Sequence, residues 1–147
     1  MSDANTMDPW AVARASAAAM YERDQATKAL GAVIVEVGPG TATLTMSLRP
    51  DMLNGYGTGH GGFLFALADS AFAFACNSRN EATVAAGCSI EYLRPVPGGT
   101  QLIATAVEQV LAGRSGIYDV SLSDAEGTVY ALFRGKSARI KGEVQRS

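Results

Sequence analysis

The sequence predicts an α+β domain in which an antiparallel β-sheet wraps one long buried helix. Residues from about Gly61 to Asn77 are apolar on nearly every face, and a helix of this kind is buried at the centre of its domain. Two alternating apolar strands precede this central helix and four follow it, and strands joined by tight turns must be antiparallel. The length of 147 residues, 48% of them apolar, fits one domain with a single core.

Before the central helix, the chain predicts a helix and then a hairpin. Asp8 is a suitable helix cap with Pro9 at the first helical position, and the Ala-rich sequence that follows favours a helix. Gly31 would end a second, short helix. Apolar side chains then alternate with others on both sides of a Gly-Pro-Gly turn, so the hairpin has one buried face. The predicted elements are a helix to about residue 23, a short helix that ends at residues 29–30, and strands at 33–37 and 42–48.

Four strands are predicted after the central helix, each bounded by residues typical of turns. Pro95 and Pro97 stop the first strand, and the Asp-Ala-Glu-Gly turn at 124–127 leads from the third to the fourth. One sheet cannot cover a helix that is apolar on all sides, so its uncovered side and the strand edges predict a second subunit. The strands are expected at 84–94, 100–112, 116–123 and 128–140, with flexible ends at 1–7 and 141–147.

The composition argues against several classes of function. A net charge of −2 without a basic run disfavours nucleic-acid binding. Residues 1–20 lack an apolar core of signal-peptide length, and the central helix is shorter than the ~20 residues of a membrane span, so we expect a cytoplasmic protein. Cys76 and Cys88 lack Cys-x-x-Cys spacing and suit a reducing compartment. His60 is the only histidine, which argues against a metal centre, and no cofactor is predicted.

The glycine-rich stretch before the central helix supports three chemical interpretations. Residues 57–62 match the dinucleotide-binding pattern G-x-G-x-x-G, but the preceding strand ends about ten residues earlier and hairpins follow instead of βαβ units. A serine hydrolase is disfavoured because the chain has no G-x-S-x-G and its histidine has no obvious serine partner.

The third interpretation is an oxyanion site for an acyl carbonyl. A helix amino terminus presents unpaired N–H groups and a positive dipole end, and Gly61 and Gly62 would let a ligand approach the backbone. Asp69, the one charge in the central helix, would be nucleophile or general base, with its pKa raised by burial. Gly61 and Asp69 are roughly 12 Å apart along a helix that rises ~1.5 Å per residue. We therefore expect a site shared between two subunits.

The same residues resemble a known family. The motif Asn54-Gly-x(4)-His60-Gly-Gly, with Asp69 nine residues after the histidine, is followed by Ala-Phe-Ala-Phe-Ala-Cys-Asn-Ser. This pattern is similar to the hotdog-fold acyl-CoA thioesterases of the phenylacetate-degradation, PaaI type. Further matching stretches, which together extend the likeness over most of the chain, are Ala19-Met-Tyr-Glu-Arg-Asp, Lys28-Ala-Leu-Gly, Tyr92-Leu-Arg-Pro and Ala131-Leu-Phe-Arg-Gly-Lys-Ser.

The resemblance implies a hotdog fold of about six strands, dimers with a continuous sheet, and usually a homotetramer of two dimers. It also implies hydrolysis of phenylacetyl-CoA or hydroxyphenylacetyl-CoA, with coenzyme A as part of the substrate. By position, Gly61 would give the oxyanion N–H and Asp69 would be the catalytic carboxylate. His60 would hold the loop or the carbonyl, and Asn54 would position the water or the aspartate. As structural alternatives, Asn54 is a turn former and Asp69 a buried structural carboxylate.

The chain departs from the family pattern at two places. Relatives often have a serine or threonine that assists the water where this chain has Ala85 and Ala86, and a bulkier residue than Gly59 before the histidine. Two other functions stay open, namely a non-enzymatic acyl-CoA or acyl-carrier binding protein, and a hotdog dehydratase with His60 as base. The predicted substrate-binding residues are Tyr56, Gly62 and Phe72, with Arg114, Arg134 and Lys136 for the phosphates of coenzyme A.

Overall fold

In the computed structural model, which describes residues 7–145, a six-stranded antiparallel sheet wraps the central helix. This arrangement confirms the predicted α+β class. A single turn of 3-10 helix, Pro50–Met52, lies between the second strand and the central helix. The helices are α1 (Pro9–Arg23), α2 (Gln25–Ala29) and α3 (Gly61–Cys76), and the strands are β1 (Val33–Gly38), β2 (Thr41–Ser47), β3 (Glu81–Tyr92), β4 (Gln101–Ala112), β5 (Ser115–Ser123) and β6 (Val129–Glu143).

The order of strands in the sheet is β1-β2-β4-β5-β6-β3. Three pairs of consecutive strands form antiparallel hairpins, namely β1 with β2, β4 with β5, and β5 with β6. The strand that follows the central helix, β3, pairs with β6 rather than with β4. The proline-containing connection after β3 therefore passes the ends of β6 and β5 before β4 enters the middle of the sheet.

Two strands differ most from their predicted boundaries, since β3 spans Glu81–Tyr92 rather than 84–94 and β6 ends at Glu143 rather than at residue 140. The short helix, Gln25–Ala29, ends just before Leu30 and Gly31 as the sequence predicts, and Asp24 caps its start by accepting the Thr27 N–H at 2.9 Å and the Thr27 hydroxyl at 2.6 Å. Residues 141–143, expected in a flexible tail, continue strand β6, and Val144 is buried. The predicted flexibility of residues 1–6 and 146–147 lies outside the described residues.

The core lies between α3 and the concave face of the sheet. Phe72 packs its ring 5.6 Å from that of Tyr118 and 5.8 Å from that of Phe133, measured between centroids. Gly135 of β6 makes this contact possible, because a Cβ at that position would lie 2.8 Å from the Phe72 ring. Burying a side chain of this size stabilises the fold by about 1.5–3 kcal/mol. The fully buried residues of α3 include Leu64, Leu67, Ala68, Ala71, Phe72, Phe74 and Ala75.

The two edges of the sheet differ in their cover. Helix α1 packs against β1. Strand β3 has 12 residues, pairs on one side only within the described chain, and exposes most of its side chains, among them Val84 and Ala86. A long uncovered edge offers unpaired N–H and C=O groups to another strand. Among residues 7–145, no helix is long and apolar enough to cross a membrane.

Candidate active site

Asn54 organises the loop that leads to α3. Its Oδ1 accepts the backbone N–H groups of Tyr56 at 2.9 Å and Thr58 at 3.1 Å, and its own N–H donates to the Thr58 carbonyl at 2.7 Å. Gly57 completes the turn with φ +78°, a conformation that favours glycine. The Asn54 oxygen therefore holds the loop, which is the structural alternative for this residue. Tyr56 lies at the loop tip and is 95% exposed.

His60 caps the amino end of α3. Its Nδ1 accepts the Gly62 N–H at 2.9 Å, which leaves the ring proton on Nε2. Its backbone N–H donates to the Met52 carbonyl at 2.8 Å, and its carbonyl accepts the Phe63 N–H at 3.0 Å. The imidazole also meets the Phe63 ring edge to face at 6.0 Å. The predicted role of His60 in holding the loop matches these contacts.

Gly61 presents the open backbone donor at this helix end. The Gly62 N–H is bonded to His60, whereas the Gly61 N–H has no acceptor among residues 7–145. The Gly61 carbonyl accepts the Tyr92 hydroxyl at 2.8 Å, and a Cβ added to Gly61 would lie 3.0 Å from the Tyr92 ring. The result is a single unpaired N–H at the positive end of the helix dipole.

Asp69 lies two turns further along α3 and is half-buried. Burial raises the pKa of its carboxyl group, and the Asp24 carboxylate raises that pKa further. The Cys88 sulfur of β3 lies 4.0 Å from Asp69 Oδ1, and burial followed by the charge of Asp69 raises the pKa of this thiol. None of the four ion pairs in the described chain includes Asp69. A raised pKa makes this carboxylate a better base.

A cleft of about 380 Å³ opens beside Asp69. It lies between the end of α1, the carboxyl half of α3 and the start of β3. Phe72 borders this cleft but is 1% exposed, so the predicted substrate contact is limited to the edge of a core residue. A larger depression of about 520 Å³ lies on the outer face of the sheet, and Asp69 is not among the residues that line it. No group of three potential metal ligands occurs among residues 7–145.

The structure does not bring the predicted phosphate-binding cations together with Asp69. Arg134 and Lys136 alternate along β6 with residues that face α3, so both lie on the opposite, outer face. Arg134 there forms a two-point ion pair with Asp119, at 2.7 and 2.8 Å. Arg114 is exposed in the turn between β4 and β5. Within one chain, these three cations do not form a common site.

Sequence reasoning missed three neighbours of the site residues. Tyr92 bonds to Gly61, Cys88 approaches Asp69, and Asp24 raises the Asp69 pKa. Tyr92 and Asp24 each belong to one of the matching stretches, which was a usable signal. Cys88 comes near Asp69 only through the packing of elements distant in sequence.

Comparisons with known proteins identify the family of this chain. A family model described as the thioesterase superfamily matches residues 56–131, which run from the loop tip through α3 into β6. The chain belongs to the thioesterase superfamily. It is 46% identical over 129 residues to the acyl-coenzyme A thioesterase PaaI of Escherichia coli (strain K12), covering 88% of this chain and 92% of that relative.

Solved structures of several other proteins have the same fold as this thioesterase. The E. coli PaaI protein from the phenylacetic acid degradation operon is similar with a TM-score of 0.90 and 45% identity, covering 92% of this chain and 99% of that one. A mutant of the phenylacetic acid degradation protein PaaI from Thermus thermophilus is similar with a TM-score of 0.76 and 43% identity. The match covers 80% of this chain and 100% of that one. A hypothetical thioesterase from Streptococcus pneumoniae, solved with coenzyme A, shares the fold at 24% identity and a TM-score of 0.72, covering 79% and 88%. The thioesterase is of the PaaI type and has the hotdog fold.

Proposed function

We propose that this PaaI-type acyl-CoA thioesterase hydrolyses phenylacetyl-CoA or hydroxyphenylacetyl-CoA, releasing the acid and coenzyme A in the cytoplasm. The observation that carries the proposal is the pairing, on one helix, of an open Gly61 N–H with a half-buried Asp69 of raised pKa. The names of the relatives, an acyl-coenzyme A thioesterase and phenylacetic acid degradation proteins, support the substrate class. The coenzyme A in a structure of the same fold supports the leaving group.

In the proposed reaction, Asp69 acts at the thioester carbonyl carbon. It either attacks directly, forming an anhydride that water then cleaves, or removes a proton from the water that attacks. In both routes the carbonyl oxygen gains negative charge, and the Gly61 N–H at the helix end is the donor that stabilises it. Coenzyme A leaves as the thiolate and takes up a proton, so one water is consumed for each acid and thiol released.

The geometry of α3 requires two chains for this chemistry. Gly61–Cys76 is one unbroken helix, so the Gly61 N–H and the Asp69 carboxylate are about 12 Å apart along its axis at ~1.5 Å per residue. Both groups must lie within about 3 Å of the reacting atoms. A second copy must therefore supply one of them.

The uncovered edge of β3 is the surface on which we propose that the second copy docks. Strand β3 runs along α3 in the opposite direction, with Tyr92 beside Gly61 and Cys88 beside Asp69. If two β3 edges pair antiparallel, the sheet becomes continuous and two α3 helices lie side by side in opposite directions. Asp69 of one copy then faces Gly61 of the other. We propose this homodimer as the catalytic unit, with two dimers forming a homotetramer.

Measuring the products of the full chain tests the proposed function. Purified protein is mixed with phenylacetyl-CoA and, separately, with an enoyl-CoA, while free thiol and enoyl absorbance are followed. We expect thiol release from phenylacetyl-CoA and no change in enoyl absorbance. Binding of phenylacetyl-CoA without thiol release would identify a binding protein instead, and a change in enoyl absorbance without thiol release would identify a dehydratase.

A further inference from the structure

The cleft beside Asp69 has the shape and walls of a binding site for an apolar group. Its volume of about 380 Å³ falls in the range of roughly 300–1,000 Å³ that is usual for small-molecule sites. Met20 of α1 and Val84 of β3 are among its apolar lining residues. Ala73 forms the helix side and is only half-buried.

Ala73 is the residue that leaves the cleft open next to the catalytic carboxylate. It follows Asp69 by four positions on α3, so the two side chains lie on the same helix face, one turn apart. A methyl group at this position leaves room beyond Asp69, whereas a larger side chain would fill it. An acyl group whose carbonyl lies at Asp69 would therefore extend over Ala73.

Asn77 and Arg23, two polar residues that line the cleft, already have hydrogen-bond partners. The Asn77 amide donates to the carbonyls of Ala73 at 2.8 Å and Thr83 at 3.0 Å, and its oxygen accepts the Thr83 N–H at 2.9 Å. The Arg23 guanidinium donates to the Val144 carbonyl at 2.8 Å. Because these donors are already engaged, they have less capacity to bind a charged acyl group.

The charges that face Asp69 disfavour an anionic acyl group. Asp24, from the junction of α1 and α2, lines the same cleft and is held in place by Thr27. The other titratable groups around Asp69 are the Cys88 thiol of β3 and the Cys76 thiol of α3, with Arg23 as the one cation lining the cleft. Two carboxylates against one engaged guanidinium repel a further negative charge.

We propose that this cleft is the acyl subsite of the thioesterase, that it takes neutral aryl groups, and that Ala73 sets its depth. The inference rests on the function proposed above and deepens it by assigning the position of the substrate's acyl part. Carboxylated acyl groups, such as that of succinyl-CoA, are excluded by the charge of Asp24 and Asp69.

Selectivity of an Ala73→Leu variant tests the depth of the subsite. The kcat/KM for phenylacetyl-CoA is expected to fall by about tenfold or more, because added methylenes displace the ring, while that for acetyl-CoA stays within about twofold. Ala112→Leu, an exposed position at the end of β4, is the matched control and is expected to leave both values unchanged. Met20→Ala, which widens the cleft, is expected to raise the ratio of naphthylacetyl-CoA to phenylacetyl-CoA hydrolysis.

Charge selectivity is tested with butyryl-CoA against succinyl-CoA. The wild type is expected to prefer butyryl-CoA, and Asp24→Asn, which retains a helix-capping side chain, is expected to narrow that preference. Equal losses on phenylacetyl-CoA and acetyl-CoA in Ala73→Leu, or a change in its oligomeric state, would overturn the assignment. If Ala73→Leu does not fold, Met20→Ala still tests the assignment. An unchanged ratio of naphthylacetyl-CoA to phenylacetyl-CoA hydrolysis in that variant would overturn it. A wild type that hydrolyses neither thioester would instead refute the proposed function.

Discussion

The amino end of α3 and the middle of the same helix are built in opposite ways. At the amino end, a polar loop and the His60 cap fix the backbone through hydrogen bonds and leave the Gly61 N–H open. Two turns further, Asp69 is half-buried without an ion-pair partner in the described chain. One region has a donor for developing negative charge but no acid, and the other has the acid but no such donor.

In the proposed reaction, this difference explains how one short helix can contribute both groups, each to a different site. Asp69 is kept in a state that costs stability within its own chain, as a poorly solvated carboxylate. Functional sites commonly depart in this way from the rule that buried polar groups are paired. Substitutions in either region test this difference, and their expected effects on activity and stability differ in size.

The largest effect is expected when the acid is removed. Asp69→Asn keeps the shape of the side chain but removes the base, so kcat for phenylacetyl-CoA should fall by about 10²–10⁴-fold. Asp51→Asn, an exposed aspartate paired with Arg49, is the control and should retain full turnover. Steady-state assays of thiol release measure both. Full activity in a folded Asp69→Asn variant would contradict the role of this carboxylate.

The next largest effect is expected when the backbone donor is removed. Gly61→Pro deletes the N–H at the first helical position, where proline is tolerated, and His60 already has the extended conformation that precedes proline. We expect kcat to fall by about 10²–10³-fold. Gly61→Ala introduces a similar contact with Tyr92 but keeps the N–H, so it serves as the matched control. Equal activity in the two variants would show that the N–H is not the oxyanion donor.

Much of the fold could be predicted because it depends on local patterns. The apolar run of α3, the Asp8-Pro9 start of α1 and the alternating strands each act within a few residues, and all are present in the structure. The pairing of β3 with β6 could not be predicted, because no turn joins the two strands and their contact arises only in the complete sheet.

Residues of the candidate site could be singled out from the sequence where they depart from their surroundings. The motif around His60 and the lone charge of Asp69 were visible because both depart from their apolar surroundings. The engagement of the Asn54 oxygen in its loop and of Arg134 with Asp119 depends on where hydrogen-bond partners lie after folding. Residue types alone do not determine whether such partners are available.

A smaller effect, on stability, is expected at the helix cap. His60→Ala removes the acceptor for the Gly62 N–H, which should lower the free energy of unfolding by about 0.5–2 kcal/mol. His60→Asn offers another capping side chain and should recover most of that loss. Urea denaturation measures the difference. An unfolding free energy in His60→Ala equal to that of the wild type would show that this cap contributes nothing to α3.

The smallest expected effect is a change in thermal stability when the half-buried Asp69 carboxylate is replaced. Because the Asp69 pKa is raised in the folded state, folding favours the protonated form, and the ionised form costs stability above the raised pKa. Asp69→Asn should therefore have a higher Tm than the wild type at neutral pH. The difference should disappear below the ordinary aspartate pKa of 3.8. Thermal unfolding of both proteins across this pH range measures the difference. A higher Tm for the wild type than for Asp69→Asn at neutral pH would refute the account.

The claim that two copies share each site is tested most directly by mixing two inactive variants. Asp69→Asn and Gly61→Pro chains are unfolded together, refolded and assayed for thiol release from phenylacetyl-CoA, with each variant refolded alone as control. In a mixed dimer, an intact Asp69 from one chain meets an intact Gly61 from the other at one of two sites. Random pairing makes half of the dimers mixed, so the account predicts recovery of about one quarter of wild-type activity. A mixture no more active than its components would contradict a shared site.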